Sequence, residues 1–288
     1  MGNAAMQVRE RSNESGSDTA GIVRSEEIRR IIIEQSRRAN VGHIGCGLSV
    51  ADIIAALYND VLRIPHPDDP DRDRFVLSKG HAALALYAAL HLKGWLSEEV
   101  LNTYCADGSL LGVHPEHQLF GVDFSTGSLG QGLCIGVGAA LAARLQGSAR
   151  RVFVLISDAE CNEGSIWEAA MFAAHQRLAN LTVLVDLNGS QALGRTAQVM
   201  DLAPMDERWR AFGWDVHDVD GHNPAEISAT IATFAAPAAA DRPHILIAHT
   251  VFGKGASFME NQFMWHYLPL SNAQYEQARE EVAKATQS

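Results

Sequence analysis

Apolar positions recur along the chain in two rhythms. In Arg24–Arg38, Ile28, Ile31 and Ile32 share one side of an otherwise charged stretch, which predicts an amphipathic helix. Three glycines in Gly42-His43-Ile44-Gly45-Cys46-Gly47 predict a loop whose backbone a ligand can approach closely. Ser49–Leu62 reads as a second amphipathic helix, and Ala82–Leu92 as an apolar helix buried on most sides. Between them, Pro65–Arg74 is a surface loop and Phe75–Ser78 a short strand. Ser97–Cys105 is a shorter helix with Ser97 as its N-cap. Leu111–Phe124 is irregular. The run Ser125-Thr126-Gly127-Ser128-Leu129-Gly130-Gln131-Gly132 then opens a small-residue helix, Leu133–Leu145, and presents free N–H groups to an anion.

The second half changes period. Arg151–Ser157 and Leu181–Leu187 are short apolar runs separated by one helix-length segment, Gly164–Arg177. Pro204–Phe212 and Pro224–Phe234 read as helices, Trp214–Asp220 and His244–Phe252 as strands. Ala235–Asp241 is linker-like, Lys254–Tyr267 a loop, and Ser271–Lys284 a charged closing helix. Strands alternating with helices predict an α/β fold: a mostly parallel central sheet with helices on both faces. No internal repeat or mid-chain linker divides residues 21–288, which are read as one domain, and the polar residues 1–20 as a flexible tail.

Chemistry gathers where the two apolar runs end. Asp158 and Asn188 leave the carboxyl ends of strands that can be neighbours, the edge where open α/β sheets hold ligands. A carboxylate, an amide oxygen and a loop carbonyl suit Mg²⁺, with phosphate oxygens completing its shell. His43, His81, His114 and His266 each lie in a Gly- or Pro-bearing loop, and histidine suits proton movement near neutral pH. Glu163, five residues after Asp158, has the structural alternative of an acid placed at a helix start by the dipole. Gly130-Gln-Gly132 with Gly136 mimics a dinucleotide fingerprint. That fingerprint needs a strand before it and an acid about 20 residues later, where Arg150 and Arg151 stand instead.

Composition narrows the classes. The net charge of −11 and the lack of a basic cluster argue against a nucleic-acid surface. No run reaches the roughly 20 apolar residues of a membrane span, and the start lacks the apolar core of a secretory signal. Cys46, Cys105, Cys134 and Cys161 show neither C-x-x-C nor zinc-type spacing, so they read as free thiols of a cytoplasmic protein.

These residues also resemble a family. Asp158-x-x-x-x-Glu163-Gly164 followed by Asn188 is similar to the thiamin diphosphate motif, usually Gly-Asp-Gly with an Asn further on. Gly42-His43-Ile44-Gly45, Asp73-to-His81, Gly112-Val-His114-Pro-Glu116, the Ser125–Gly132 loop and Trp209-Arg-Ala-Phe-Gly-Trp214 look like transketolase. The likeness runs in order from about Arg24 to Leu270 and covers the diphosphate-binding half. Ser257-Phe-Met-Glu-Asn261 and Trp265-His266 look most like the amino-terminal subunit of split, two-chain transketolases.

The resemblance implies thiamin diphosphate with Mg²⁺ (or Ca²⁺ or Mn²⁺), the metal held by Asp158, Asn188 and the carbonyl of Ser190. His81, Gly127, Ser128, Leu129 and Ala159 would line the cofactor. His43, His114 and His266 would bind and polarise substrate oxygens, and Glu163 would join a carboxylate network linking paired active sites. The implied activity moves a two-carbon ketol unit from a ketose, such as a sugar phosphate, to an aldehyde. A second subunit with the pyrimidine-binding and carboxy-terminal domains would be required, in an α2β2 assembly. Two alternatives share the motifs: an acyloin-forming enzyme with a pyruvate-type donor, and a non-catalytic half-transketolase.

Three departures stand out. The signature reads Ser157-Asp158-Ala159, and an alanine in a left-handed conformation costs on the order of 1 kcal/mol. Ala159 is therefore expected either to take an ordinary φ or to weaken cofactor binding. Phe252 stands where some members carry a lysine, and Tyr267 replaces a glycine, which would narrow the site.

Overall fold

A computed structural model describes residues 21–235 and 241–285; the tail at 1–20 and most of the linker-like 235–241 stretch lie outside the described residues. The first half supplies helices α1 (Ser25–Ala39), α2 (Ile44–Ser49), α3 (Ala51–Ala56), α4 (Ala83–Leu92) and α5 (Glu98–Leu101), with strand β1 (Arg74–Leu77) between α3 and α4. Helix α6 (Gln131–Leu145) leads into β2 (Val152–Ser157), α7 (Gly164–His175) and β3 (Leu181–Leu187). A small hairpin, β4 (Ser190–Gln191) with β5 (Gly194–Arg195), precedes α8 (Thr196–Val199) and α9 (Met205–Ala211). The chain closes through β6 (Asp215–Asp220), α10 (Pro224–Ala232), β7 (His244–His249) and α11 (Asn272–Ala285).

The main sheet has the order β1-β2-β3-β7-β6, and every pair is parallel. β2 is buried along its whole length, as a strand covered on both faces must be. The pleat divides its side chains. Phe153 and Leu155 enter a core with Ile28, Ile53 and Leu90, while Val152, Val154 and Ile156 enter a second core with Val137, Ile166 and Trp209. All parallel strands therefore present their carboxyl ends to one edge.

Several expectations about the first half fail. Gly42–Gly47 is not a loop throughout: a helix starts at Ile44 and includes Gly45 and Gly47. Those glycines serve close packing; a Cβ at Gly45 would stand 2.3 Å from the Phe252 ring. Ser49–Leu62 is broken at Val50 and ends as a π turn over Leu57–Val61. Nor is it amphipathic: every residue of α3 is buried, because α1, α4 and α10 pack around it. The predicted Ser97–Cys105 helix shortens to α5, with the Ser97 hydroxyl accepting from Val100 N at 3.2 Å as a cap should.

Candidate active site

Four neighbouring strand ends build the site. β2 delivers Asp158, β3 delivers Asn188, β1 delivers Ser78-Lys79-Gly80-His81, and β7 delivers Thr250-Val251-Phe252. The pairing of Ser157 with Asp186 sets Asp158 beside the start of the Asn188 turn. Asp158 is buried; its Oδ2 accepts from Gly189 N at 2.8 Å and its Oδ1 from Ala159 N at 2.8 Å. Asn188 is buried too. Its Nδ2 donates to Asp186 Oδ2 at 2.8 Å, and its Oδ1 accepts from Ser190 N at 2.9 Å. The two predicted metal ligands and Ser190 thus share one turn-and-strand-end pocket.

Burial, reinforced by the neighbouring Asp186 carboxylate, pushes the Asp158 carboxyl up to about 7 despite its two N–H donors. An anion held this far from water lacks a full countercharge in the protein, and a divalent cation supplies one. The donor set is all oxygen, as Mg²⁺ and Ca²⁺ prefer. Ala159 shows how the missing glycine is tolerated. It opens a 3₁₀ turn over Ala159–Asn162 and is not among the positive-φ residues, so the alanine carries no left-handed strain.

Beneath this pocket lie groups that no local motif marks. Asp186 is completely buried and pairs with the buried Lys79 ammonium, with Ser49 Oγ at 2.8 Å, Asn188 Nδ2 and the Thr250 hydroxyl. Burial pulls the Lys79 ammonium down, but the Asp186 carboxylate outweighs it and the net shift is upward. By taking the Asn188 amide N–H, Asp186 fixes the orientation of the amide, whose Oδ1 accepts from Ser190 N, as an outer partner orients a ligand. Glu160, also fully buried, accepts from Ser78 Oγ at 2.5 Å, Gly130 N at 2.9 Å and Ser157 N at 2.9 Å, tying two strand ends to the glycine loop. The one available signal in the sequence was an acid inside an otherwise apolar strand, at Asp186; the partners of Lys79 and Glu160 are set by the fold.

Three of the four histidines form one group. The ring centroids of His43 and His81 are 5.5 Å apart, and those of His81 and His266 6.2 Å. His43 N donates to the His266 carbonyl at 3.0 Å, which ties α2 to the loop before α11. Phe252 stacks on His266 with centroids 4.6 Å apart and 14° between planes. Desolvation lowers the pKa of His43, His81 and His266, the last to about 4, so all three are neutral at pH 7. His266 Nδ1 lies 3.1 Å from the Phe263 carbonyl, which makes Nδ1 the protonated nitrogen and leaves Nε2 with a free lone pair. His43 Nδ1 is buried without a protein partner.

His114 stands beside this group, its ring 3.4 Å from where a Cβ on Gly127 would be, and its carbonyl accepts from the Tyr87 hydroxyl at 2.9 Å. The loop keeps Gly127 and Leu129 half-buried and Ser128 exposed at the start of α6. Glu163 is set apart. It is exposed and packs over Gly130, away from the histidines. Tyr267 is exposed, with its ring centroid 6.2 Å from that of His266, and its hydroxyl donates to the Ala192 carbonyl at 2.7 Å, fastening this turn to the β4–β5 hairpin. A surface depression of about 560 Å³ near His175, Phe212 and Arg242 lies at the opposite, amino-terminal edge of the sheet.

Residues 22–287 match the family model described as the transketolase thiamine diphosphate-binding domain. The chain is 41% identical over 264 residues to one subunit of the apulose-4-phosphate transketolase of Phocaeicola vulgatus, covering 91% of this chain and 93% of that one. It is 42% identical over 260 residues to the 6-deoxy-6-sulfo-D-fructose transketolase subunit SqwG of Clostridium sp. (strain MSTE9), covering 89% and 94%. The crystal structure of transketolase from Campylobacter jejuni superposes with a TM-score of 0.84 at 30% identity, over 90% of this chain and 42% of that longer one. The chain belongs to the transketolase family and constitutes its thiamine diphosphate-binding domain.

Proposed function

We propose that Asp158, Asn188 and the carbonyl of Ser190 hold Mg²⁺, or Ca²⁺ or Mn²⁺ in its place, within a transketolase that moves a two-carbon ketol unit. The observation that carries this reading is the buried Asp158 carboxylate at the end of β2, bonded to Gly189 N in the same turn whose Asn188 Oδ1 accepts from Ser190 N at the end of the neighbouring β3. Gly127, Ser128, Leu129, Ala159 and His81 line the path of the diphosphate. When bound, thiamin diphosphate is the electron sink for breaking the donor's carbon–carbon bond.

The chain's own groups bind and orient. His43, His81, His114 and His266 face substrate oxygens; desolvation favours the neutral imidazole at His43, His81 and His266, which can each donate one hydrogen bond and accept another. With Nδ1–H committed to Phe263, His266 accepts a substrate hydroxyl proton at Nε2. The free His43 Nδ1 is available to a second oxygen, and such contacts accelerate the reaction when they tighten as charge develops. Exposed Glu163 reaches toward a partner chain rather than toward the histidines, in keeping with a carboxylate network between active sites.

That partner supplies the pyrimidine-binding and carboxy-terminal domains, and the assembly is α2β2 and cytoplasmic. Both bacterial relatives bear subunit names, and their named substrates are ketoses with an anionic tail. A ketose of that class is the donor here, and an aldehyde the acceptor. The test is to purify this chain alone and with the product of a neighbouring reading frame that carries the missing domains. Ketose phosphates should yield two-carbon transfer only in the complex, and pyruvate none. Turnover by the single chain, or a preference for pyruvate, contradicts the reading.

A further inference from the structure

Cys46 reads as a free thiol in sequence, because no histidine stands at zinc spacing from it. In the fold it meets two. The Cys46 Sγ and a ring nitrogen each from His81 and His266 all lie within 4.8 Å of one another. They come from three separate elements: α2, the 3₁₀ turn Gly80–Ala82, and the 3₁₀ turn Phe263–His266. We propose that Cys46, His81 and His266 form a three-ligand site for a borderline-soft divalent cation of the zinc class, separate from the oxygen site at Asp158 and Asn188.

Ligand chemistry separates the two sites. One thiolate and two imidazoles suit zinc and cobalt, whereas Mg²⁺ takes oxygen. Around a tetrahedral zinc the ligand atoms stand roughly 3.3–3.7 Å apart, so closure needs a contraction of roughly 1 Å. His81 is half-buried, the least enclosed of the three. The His266 Nδ1–H is engaged by a backbone carbonyl, which leaves Nε2 as the ligand atom and is the outer contact that fixes the tautomer of metal-bound histidines. Phe252, stacked on the other face, adds no competing charge. The nearby Lys79 ammonium is matched by Asp186, so its repulsion of a cation is offset.

Binding converts the Cys46 thiol to thiolate, and the displaced proton goes to water; affinity therefore rises with pH. Burial pushes this thiol up to about 12, so the metal-free chain holds it protonated. An ion here takes the lone pairs of His81 and His266. If the proposed ketol transfer is right, occupancy blocks it, and that consequence alone rests on the functional reading.

The probe is Co²⁺ titrated into the full chain with saturating Mg²⁺ present, read by electronic absorption. A thiolate-to-cobalt charge-transfer band with tetrahedral d–d intensity is expected. It should vanish in Cys46→Ala and in Cys46→Ser, persist in Cys134→Ala, and need more than roughly tenfold more cobalt in His266→Ala. Zn²⁺ should displace the cobalt and inhibit ketol transfer by the wild-type complex, while the Cys46→Ala complex keeps its activity and resists zinc. Absence of the band, or its survival in both Cys46 variants whose circular dichroism is native, overturns the site. Equal zinc inhibition of wild type and Cys46→Ala overturns its regulatory consequence. The spectrum is read without turnover, so it stands or falls independently of the proposed reaction.

Discussion

His43 sits at φ +61°, in the left-handed region, at the residue that begins α2. For a residue with a Cβ this conformation costs about 1–2 kcal/mol, and a buried Nδ1 without a partner adds to it. Such strain persists where function holds it in place. His43→Gly is expected to be about 1 kcal/mol more stable than His43→Ala in urea denaturation, while both lose roughly 10²-fold or more in ketol transfer. Equal stability of the two variants would show that the backbone is not strained there. At this scale Asp158 and Asn188 were legible because each ends an apolar run, and Ala159 because its departure from glycine had a definite conformational cost. Asp186 showed only as an acid inside an apolar strand, and Lys79, Glu160 and Cys46 were not legible, since their partners are set by the fold. No local spacing encodes the Lys79–Asp186 pair, and His81 and His266 meet Cys46 only after β1, α2 and the loop before α11 are assembled.

Among the elements, α6 carries three glycines, two of which, Gly136 and Gly138, have opposite constraints. A Cβ at Gly136 would lie 2.3 Å from Val154 Cγ2, whereas one at Gly138 would meet nothing within 4 Å. Gly136→Ala should therefore cost about 1–3 kcal/mol by forcing α6 off β2, and Gly138→Ala should gain roughly 0.5–1 kcal/mol by favouring the helix. Thermal unfolding of the two variants checks both signs. The joint between α1 and α3 makes a different prediction. Burial works to raise the Asp52 carboxyl, but hydrogen bonds from His222 and Arg29 outweigh it and hold it at about 2 instead of 3.8. The folded pKa lies below the unfolded one, so this contribution is complete above pH 3.8 and is lost as pH falls toward about 2. Asp52→Asn should cost about 3 kcal/mol at neutral pH, because Arg29 is left buried and unpaired, and should flatten the stability–pH curve in that acid window. An unchanged acid slope would remove Asp52 from the account. Element types in the parallel half were legible because runs buried on both faces are continuous. The Ile44–Ser49 helix and the break at Val50 were not, because glycine in a helix signals a loop until its packing partner, here Phe252 or Ile32, is known.

For the whole molecule, the decisive feature is that one sheet edge gathers metal-type oxygens, a glycine loop and a cluster of neutral histidines. The two-faced parallel fold was readable from alternation, and it dictates the edge at which ligands meet. Glu163 stays exposed, packed over Gly130 of the glycine loop. Among the described residues no helix is long and apolar enough to cross a membrane. The central claim is the convergence of residues 158 and 188 on a cation that anchors a diphosphate. Its most direct measurement is calorimetric titration of thiamin diphosphate into the assembled complex, with and without Mg²⁺, for wild type, Asp158→Ala and Asn188→Ala. Metal-dependent binding that either substitution weakens by roughly 10²-fold or more is the expected result. Binding that ignores Mg²⁺, or that survives both substitutions, would contradict the account.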